Sequence, residues 1–123
     1  IYTGFQNLKY LAAIKNLIDD EKIKNTMMLV GLDSESRTKV KNYSLGMKQK
    51  LAIAQAIMED QDILLLDEPF NALDEESHKR MLALVKCLQK NGKTILITSH
   101  NCEDIEYLCD TIYTIIDRQV LLK

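Results

Sequence analysis

Residues 63–69 read ILLLDEP: four apolar side chains, two adjacent carboxylates, and the only proline of the chain. The apolar run is short, continuous and bounded by polar residues, which predicts an interior strand of a parallel sheet over Ile63–Leu66. Ligands of such sheets bind at the carboxyl ends of the strands, and that is where Asp67 and Glu68 stand. Neighbouring residues of a strand point in opposite directions, so one carboxylate can face a metal ion while the other faces a reacting water. Mg²⁺ takes hard oxygen ligands and keeps several waters, so one carboxylate suffices to help hold it on a nucleotide. A second carboxylate can polarise water as a general base. Taken alone, such a pair reads as a turn cap at Asp67 and a solvated Glu68; here it has the company of TSH and YSLGMKQ.

Downstream of this stretch, Asp74 is positioned to cap a long helix with Glu75 and Glu76 in its first turn, where the helix dipole favours anions. Asn91-Gly92 ends that helix, and KTILITSH supplies a second buried strand that closes on His100. A short helix over Glu103–Cys109 and two strands, TIYTII and VLL, around a turn at Asp117–Gln119 complete the chain. Upstream, helical spacing of apolar residues predicts a helix over 5–18 and another from Asp20 to Val30 that stops at Gly31. The polar segment LDSESRTKVKNY is ambiguous, and its basic residues read as solvated surface. Met47–Glu59 is apolar on nearly every side and predicts a well-buried helix. The order divides the chain into a helical part, residues 1–60, and an α/β part, residues 61–123, with no internal repeat or low-complexity linker.

A chain of 123 residues suits one modest domain. A formal net charge of −2 gives no general electrostatic case for nucleic acid or for an anionic membrane surface. No apolar run approaches the ~20 residues needed to cross a bilayer. The N-terminus lacks Met and a basic leader, so it does not read as a signal peptide and looks like a start in mid-protein. Cys87, Cys102 and Cys109 form no CxxC pair and no ligand spacing, and read as buried, reduced thiols.

Two further stretches bear on phosphate chemistry. In YSLGMKQ, residues 43–49, a serine and a glycine open the apolar helix, so its first backbone N–H groups make an anion site by geometry and dipole; an ordinary Ser-capped helix explains the same residues. TSH places His100 at the strand end next to the acidic pair, where it can contact a γ-phosphate or an attacking water, or simply be a hydrogen-bonded surface residue.

In this order the pieces resemble the nucleotide-binding subunit of ATP-binding cassette (ABC) transporters. YSLGMKQKLAIAQAI is similar to the family's signature loop and helix, ILLLDEP to its Walker B strand with the catalytic glutamate, NALD to its D-loop and TSH to its switch-histidine loop. GFQNLKYLA is similar to the start of the helical subdomain, and CDTIYTIIDRQVLL to the strands that close the domain. The wording SLGMKQ resembles exporter subunits of the bacitracin, lantibiotic and multidrug type. The resemblance implies a partial P-loop NTPase-like α/β fold, with the helical subdomain followed by the C-terminal half of a mainly parallel sheet. It implies MgATP as substrate and cofactor, and ATP hydrolysis that drives export of antibiotic peptides or drugs through a membrane permease. The implied partners are that permease and a second ATPase subunit, identical or not, with no nucleic acid, on the cytoplasmic face of the membrane.

The resemblance also assigns residues. Ser44, Leu45, Gly46, Met47 and Gln49 would hold the nucleotide of the opposite subunit; Asp67 would bind Mg²⁺ through water; Glu68 would be the general base; His100 would sense the γ-phosphate; Asn71 and Asp74 would communicate across the dimer. Leu45 and Met47 stand where many members have Gly and Gln, and Arg118-Gln119 replaces a Gly-containing turn. None of the four glycines completes the phosphate loop G-x-x-x-x-G-K-[ST]. Gly92-Lys93-Thr94 imitates its tail, but a helix precedes it and a strand follows, the reverse of the required context. The family's Q-loop is absent as well. The expectation is that this chain by itself is inactive, and that its incomplete sheet leaves an edge that invites self-association. The rival readings are an ABC-type ATPase that acts on ribosomes or DNA, and a non-enzymatic docking module built on residues 5–45.

Overall fold

The computed structural model describes all residues from Ile1 to Lys123. Helix α1, Gly4–Ala12, opens on a reciprocal cap: Thr3 Oγ1 accepts from the Gln6 N–H at 3.2 Å, and Gln6 Oε1 accepts from the Thr3 N–H at 3.0 Å. The helix ends well short of the expected residue 18. Asn16, a residue type that tolerates the left-handed region, takes φ 54° and turns the chain, and Asp19 then caps α2 through the Lys22 N–H at 2.9 Å. Ile14 and Leu17, expected on the inner face of one long helix, are 79% and 66% exposed as a result.

Helix α2, Asp20–Val30, stops where expected, at Gly31 with φ 83°. The polar segment after it runs back across α1, where the Val40 N–H donates to the Tyr2 carbonyl at 2.8 Å, and makes one 3₁₀ turn, Val40–Asn42. It ends at the buried Tyr43, whose phenol lies so close to Gly4 that a Cβ there would collide with its oxygen. Burial pushes the Tyr43 hydroxyl above its ordinary pKa. Helix α3, Leu45–Ile57, follows, and it buries Leu51, Ile53, Ala54 and Ile57.

Strand β1, Ile63–Asp67, pairs in parallel with β2, Thr94–Thr98, in the register Leu64↔Ile95, Leu66↔Ile97 and Asp67↔Thr98. Between them runs α4, Glu75–Lys90, and after β2 comes α5, Cys102–Leu108. The interior strand of the sequence reading is covered on one face only. Leu64 and Leu66 are buried against the helices, while Ile63, Leu65 and Leu96 on the other face are 67%, 72% and 64% exposed. The last strands, β3 (Tyr113–Ile116) and β4 (Gln119–Leu122), form a separate antiparallel hairpin. Its turn is Asp117–Arg118, both left-handed (φ 51° and 65°), and Gln119 already pairs with Ile116. The expected single, mainly parallel sheet is thus two two-stranded sheets within this chain. The class is α/β, as read.

The core extends across residue 60. One cluster joins Leu8, Ile23, Met27 and Val30 of the first two helices to Ala54 and Met58 and continues to Leu64 of β1 and Met81 of α4. A smaller one, Leu66, Val85 and Leu108, seals α4 and α5 onto the sheet. Cys87 and Cys102 are exposed and Cys109 is half-buried, so the expected burial of the three thiols is not found. Burial, more than the neighbouring Asp110 charge, raises the Cys109 thiol above its ordinary pKa.

Candidate functional site

The parallel register sets Asp67 and Thr98 side by side at the strand tips. One hydroxyl then serves two neighbours: Thr98 Oγ1 donates to Asp67 Oδ1 at 2.6 Å and accepts the Glu68 N–H at 3.0 Å. The same N–H lies 3.1 Å from the Thr98 carbonyl. Glu68 is no longer part of the strand. It takes φ 47°, a left-handed conformation that costs a non-glycine residue about 1–3 kcal/mol and persists only where its surroundings enforce it. The two carboxylates therefore part company because the chain turns at Glu68, and not through the alternation of a continuing strand. The Glu68 carbonyl accepts from Gln49 Nε2 at 3.0 Å and from the Asn71 N–H at 3.3 Å.

The turn brings Glu68 Oε1 to 3.2 Å from His100 Nε2. The Glu68 side chain is 23% exposed and the His100 ring 97% exposed, so the pair presents a sheltered carboxylate and an accessible imidazole to one open cleft of about 510 Å³. Asn71, Phe70 and Asn101 line the same cleft. Its wall holds a second pair that the sequence reading missed: His78 Nε2 of α4 is hydrogen-bonded to Asp104 Oδ2 of α5 at 2.7 Å, with Phe70 edge-on to the His78 ring at 5.5 Å. Thr98 was missed as well. A histidine inside a polar helix and an aspartate in the first turn of the next carry no mutual spacing signal. Thr98 could have been found from its strand-end position two residues before His100.

A second cleft, of about 520 Å³, is lined by Ser44, Leu45, Gly46, Met47 and Lys50 on one side and by Ala72, Leu73, Asp74 and Ser77 on the other. Ser44 caps α3, its Oγ accepting the Met47 N–H at 3.1 Å. The N–H groups of Leu45 and Gly46, at the very start of the helix, have no acceptor within it and can serve an anion. Gly46 is pressed against the next loop: a Cβ there would come to 2.9 Å from the Ala72 carbonyl oxygen. Ala72 is itself left-handed, at φ 65°. Leu73 lines both clefts, so segment 70–74 is their common wall.

The structure thus gathers Glu68, Asn71 and His100 about one cleft with Asp67 beside them, and Ser44, Leu45, Gly46, Met47 and Asp74 about the other. Gln49 belongs to neither lining. Its amide is turned inward, onto Glu68. Asp74 caps α4 by accepting the Ser77 N–H at 2.7 Å, and that hydrogen bond, with help from the Ser77 side chain, holds its carboxyl below the usual carboxylate range. Gly92-Lys93-Thr94 is not a phosphate loop. Lys93, with a side chain only 12% exposed, is spent at the opposite end of β1 on the Asp60 carboxylate at 2.9 Å and on Asp62 at 3.7 Å. Its hydrogen bond and charge hold the Asp60 carboxyl below its ordinary pKa.

The acidic strand end fits Mg²⁺. Asp67 is exposed, offers hard oxygen donors and is oriented by Thr98 through one of its two oxygens. No group of three or more His, Cys, Asp or Glu side chains forms a cage, and a magnesium ion carried on a nucleotide needs none. No helix is long and apolar enough to cross a membrane.

Over 109 residues the chain is 50% identical to the uncharacterized ABC transporter ATP-binding protein YybJ of Bacillus subtilis, covering 89% of this chain and 50% of that protein. It is 40% identical over 111 residues to the bacitracin transport ATP-binding protein BcrA of Enterococcus faecalis, covering 89% of this chain and 36% of that one. The linearmycin resistance ATP-binding protein LnrL of Bacillus subtilis is 34% identical over 113 residues, 89% of this chain and 36% of its own. The chain spans about half or less of the length of these curated relatives. The family model for ABC transporters matches residues 2–71, from the start of α1 through the acidic strand end to Asn71, and the chain belongs to the ABC transporter family.

Proposed function

We propose that the chain is part of the ATP-binding, ATP-hydrolysing subunit of an ABC transporter that powers export through a membrane permease. The observation that carries this is the approach of Glu68 Oε1 to His100 Nε2, 3.2 Å, at neighbouring strand tips beside Asp67. Glu68 takes the proton of the attacking water, and His100 contacts the γ-phosphate and keeps the Glu68 carboxylate aimed at that water. Asp67 holds Mg²⁺ through a water molecule; when bound, the ion neutralises charge on the phosphates. Such chemistry asks the protein for positioning and electrostatics and for little covalent work.

The second cleft serves another nucleotide. Ser44 and the N–H groups of Leu45 and Gly46 hold the γ-phosphate of ATP bound to a second ATPase subunit, with Met47 beside them. Asn71 and Asp74, on the wall between the clefts, relay the state of one to the other. The protein works on the cytoplasmic face of the membrane as a peripheral subunit, without nucleic acid, in keeping with a net charge of −2. The names of BcrA and LnrL, bacitracin transport and linearmycin resistance, support antibiotics as the exported class.

The test is turnover of MgATP. The whole protein hydrolyses ATP, whereas the 123-residue chain, which has no G-x-x-x-x-G-K-[ST] loop, shows none above background. Hydrolysis by residues 1–123 alone that disappears in Glu68→Gln would show that the chain carries its own phosphate cradle and would overturn this division of labour.

A further inference from the structure

We infer that Gln49 is a positioning residue for Glu68, acting within its own subunit and not on the nucleotide of the other. The inference rests on the ATPase reading for its kinetic consequence, but its structural half can be measured without it. Glu68 leaves β1 in a left-handed conformation that an L-residue rarely adopts, so both peptide groups around it have to be held. The N–H is held across the sheet by Thr98, at 3.1 Å to its carbonyl and 3.0 Å to its hydroxyl. The carbonyl receives the Asn71 N–H at 3.3 Å, a contact internal to the turn, and Gln49 Nε2 at 3.0 Å. Gln49 is thus the side chain that ties this carbonyl to an element outside the turn, and because a carbonyl only accepts, the amide nitrogen must face it.

The element it belongs to gives the contact its consequence. Gln49 rides on α3, whose N-terminus carries Ser44 and Gly46 in the second cleft. Gln49 stands five positions beyond the Ser44 cap on unbroken helix, about 7.5 Å along its axis. A ligand that shifts the start of α3 therefore moves the Gln49 amide with it, and through the Glu68 carbonyl the angle at which the carboxylate meets His100. The signature helix and the general base of one subunit are mechanically joined at this hydrogen bond.

The experiment compares Gln49→Leu, which removes the donor, with Gln49→Lys, which keeps an N–H donor of similar reach. In MgATP hydrolysis by the whole protein, Gln49→Leu lowers kcat about a hundredfold, as expected for a misaligned base. KM stays within about twofold, and Gln49→Lys recovers most of the loss. In the 123-residue chain, amide hydrogen exchange at Glu68 quickens roughly fivefold to tenfold in Gln49→Leu, because the turn loses the bond at its carbonyl and opens more readily, while the Leu64 and Leu66 amides are unchanged. A raised KM at unchanged kcat would place Gln49 at the nucleotide and overturn the inference, and so would an unchanged Glu68 amide. Wild-type turnover that Glu68→Gln leaves intact would defeat the ATPase reading alone, and the exchange result would then decide the positioning role.

Discussion

Glu68→Gln in the whole protein lowers kcat for MgATP by about 10²–10⁴-fold, the usual worth of a positioned general base, and leaves KM for MgATP within about threefold. The substitution keeps the shape of the side chain and removes its basicity. The backbone stays held: the Thr98 and Gln49 bonds are made to the Glu68 main chain and survive the change. Asp67 and Ser44, which face metal and phosphate in the proposed mechanism, are untouched, so binding is spared while the chemical step is not. A variant that loses ATP binding and turnover in parallel would instead mark Glu68 as a ligand of the nucleotide.

Met81→Ala destabilises the chain by about 2–5 kcal/mol, the range found for emptying a buried methionine site. Met81 is fully buried on α4, yet it belongs to the cluster formed by Leu8, Met27, Ala54 and Met58 of the helical part. Arg80 beside it reinforces the same junction, with Nη1 at 3.4 Å from the Met28 carbonyl near the end of α2. The loss therefore registers on both parts at once. Urea denaturation followed by far-ultraviolet circular dichroism and by tyrosine fluorescence shows one transition shifted to lower denaturant, with the two probes coincident. Separate transitions for the helices and for the strands would mean that residues 1–60 and 61–123 are independent units after all.

The sequence was most legible where local chemistry and packing agree. Gly31, Asp74 and Asn91 end or begin helices within a residue of their expected places, because a left-handed stop and an aspartate cap depend on neighbours only. ILLLD and TILIT are strands for the same reason: β-prone runs bounded by polar residues. What failed rested on a weak local break in one case and on distant parts of the chain in the other. The first helix was overextended because Ile14 and Leu17 keep the helical spacing, whereas the helix stops at Ala12 and Asn16 and the Asp19 cap turn the chain into α2. Ile63–Leu66 reads as interior on both faces from composition, but which faces are covered is a property of the assembly, and here α3, α4 and α5 cover one.

At the site, residue types and their order along the chain pointed to the strand-tip carboxylates and His100, because parallel strands deliver their ends to one edge. The means by which Glu68 reaches His100 was hidden. A glutamate in a left-handed turn has no sequence signature, and its support comes from residues 19 positions upstream and 30 positions downstream. Gln49 has a partner within the chain that its motif does not reveal. Its place in SLGMKQ put it among the nucleotide contacts, while its amide lies against the Glu68 carbonyl. His78 and Asp104 pair across α4 and α5 with no regular spacing between them, so only the packing of those helices brings them to the cleft. Family membership places the chain with the P-loop NTPase-like folds, and its two small sheets with their helices are α/β.

Whether Glu68 and His100 act as one unit on a single water is measured most directly by a double-mutant cycle on kcat, with Glu68→Gln, His100→Ala and the two combined in the whole protein. The 3.2 Å contact predicts strong coupling, with the double variant no slower than the worse of the two single ones. Losses that multiply would mean that the two residues work independently and would contradict the account.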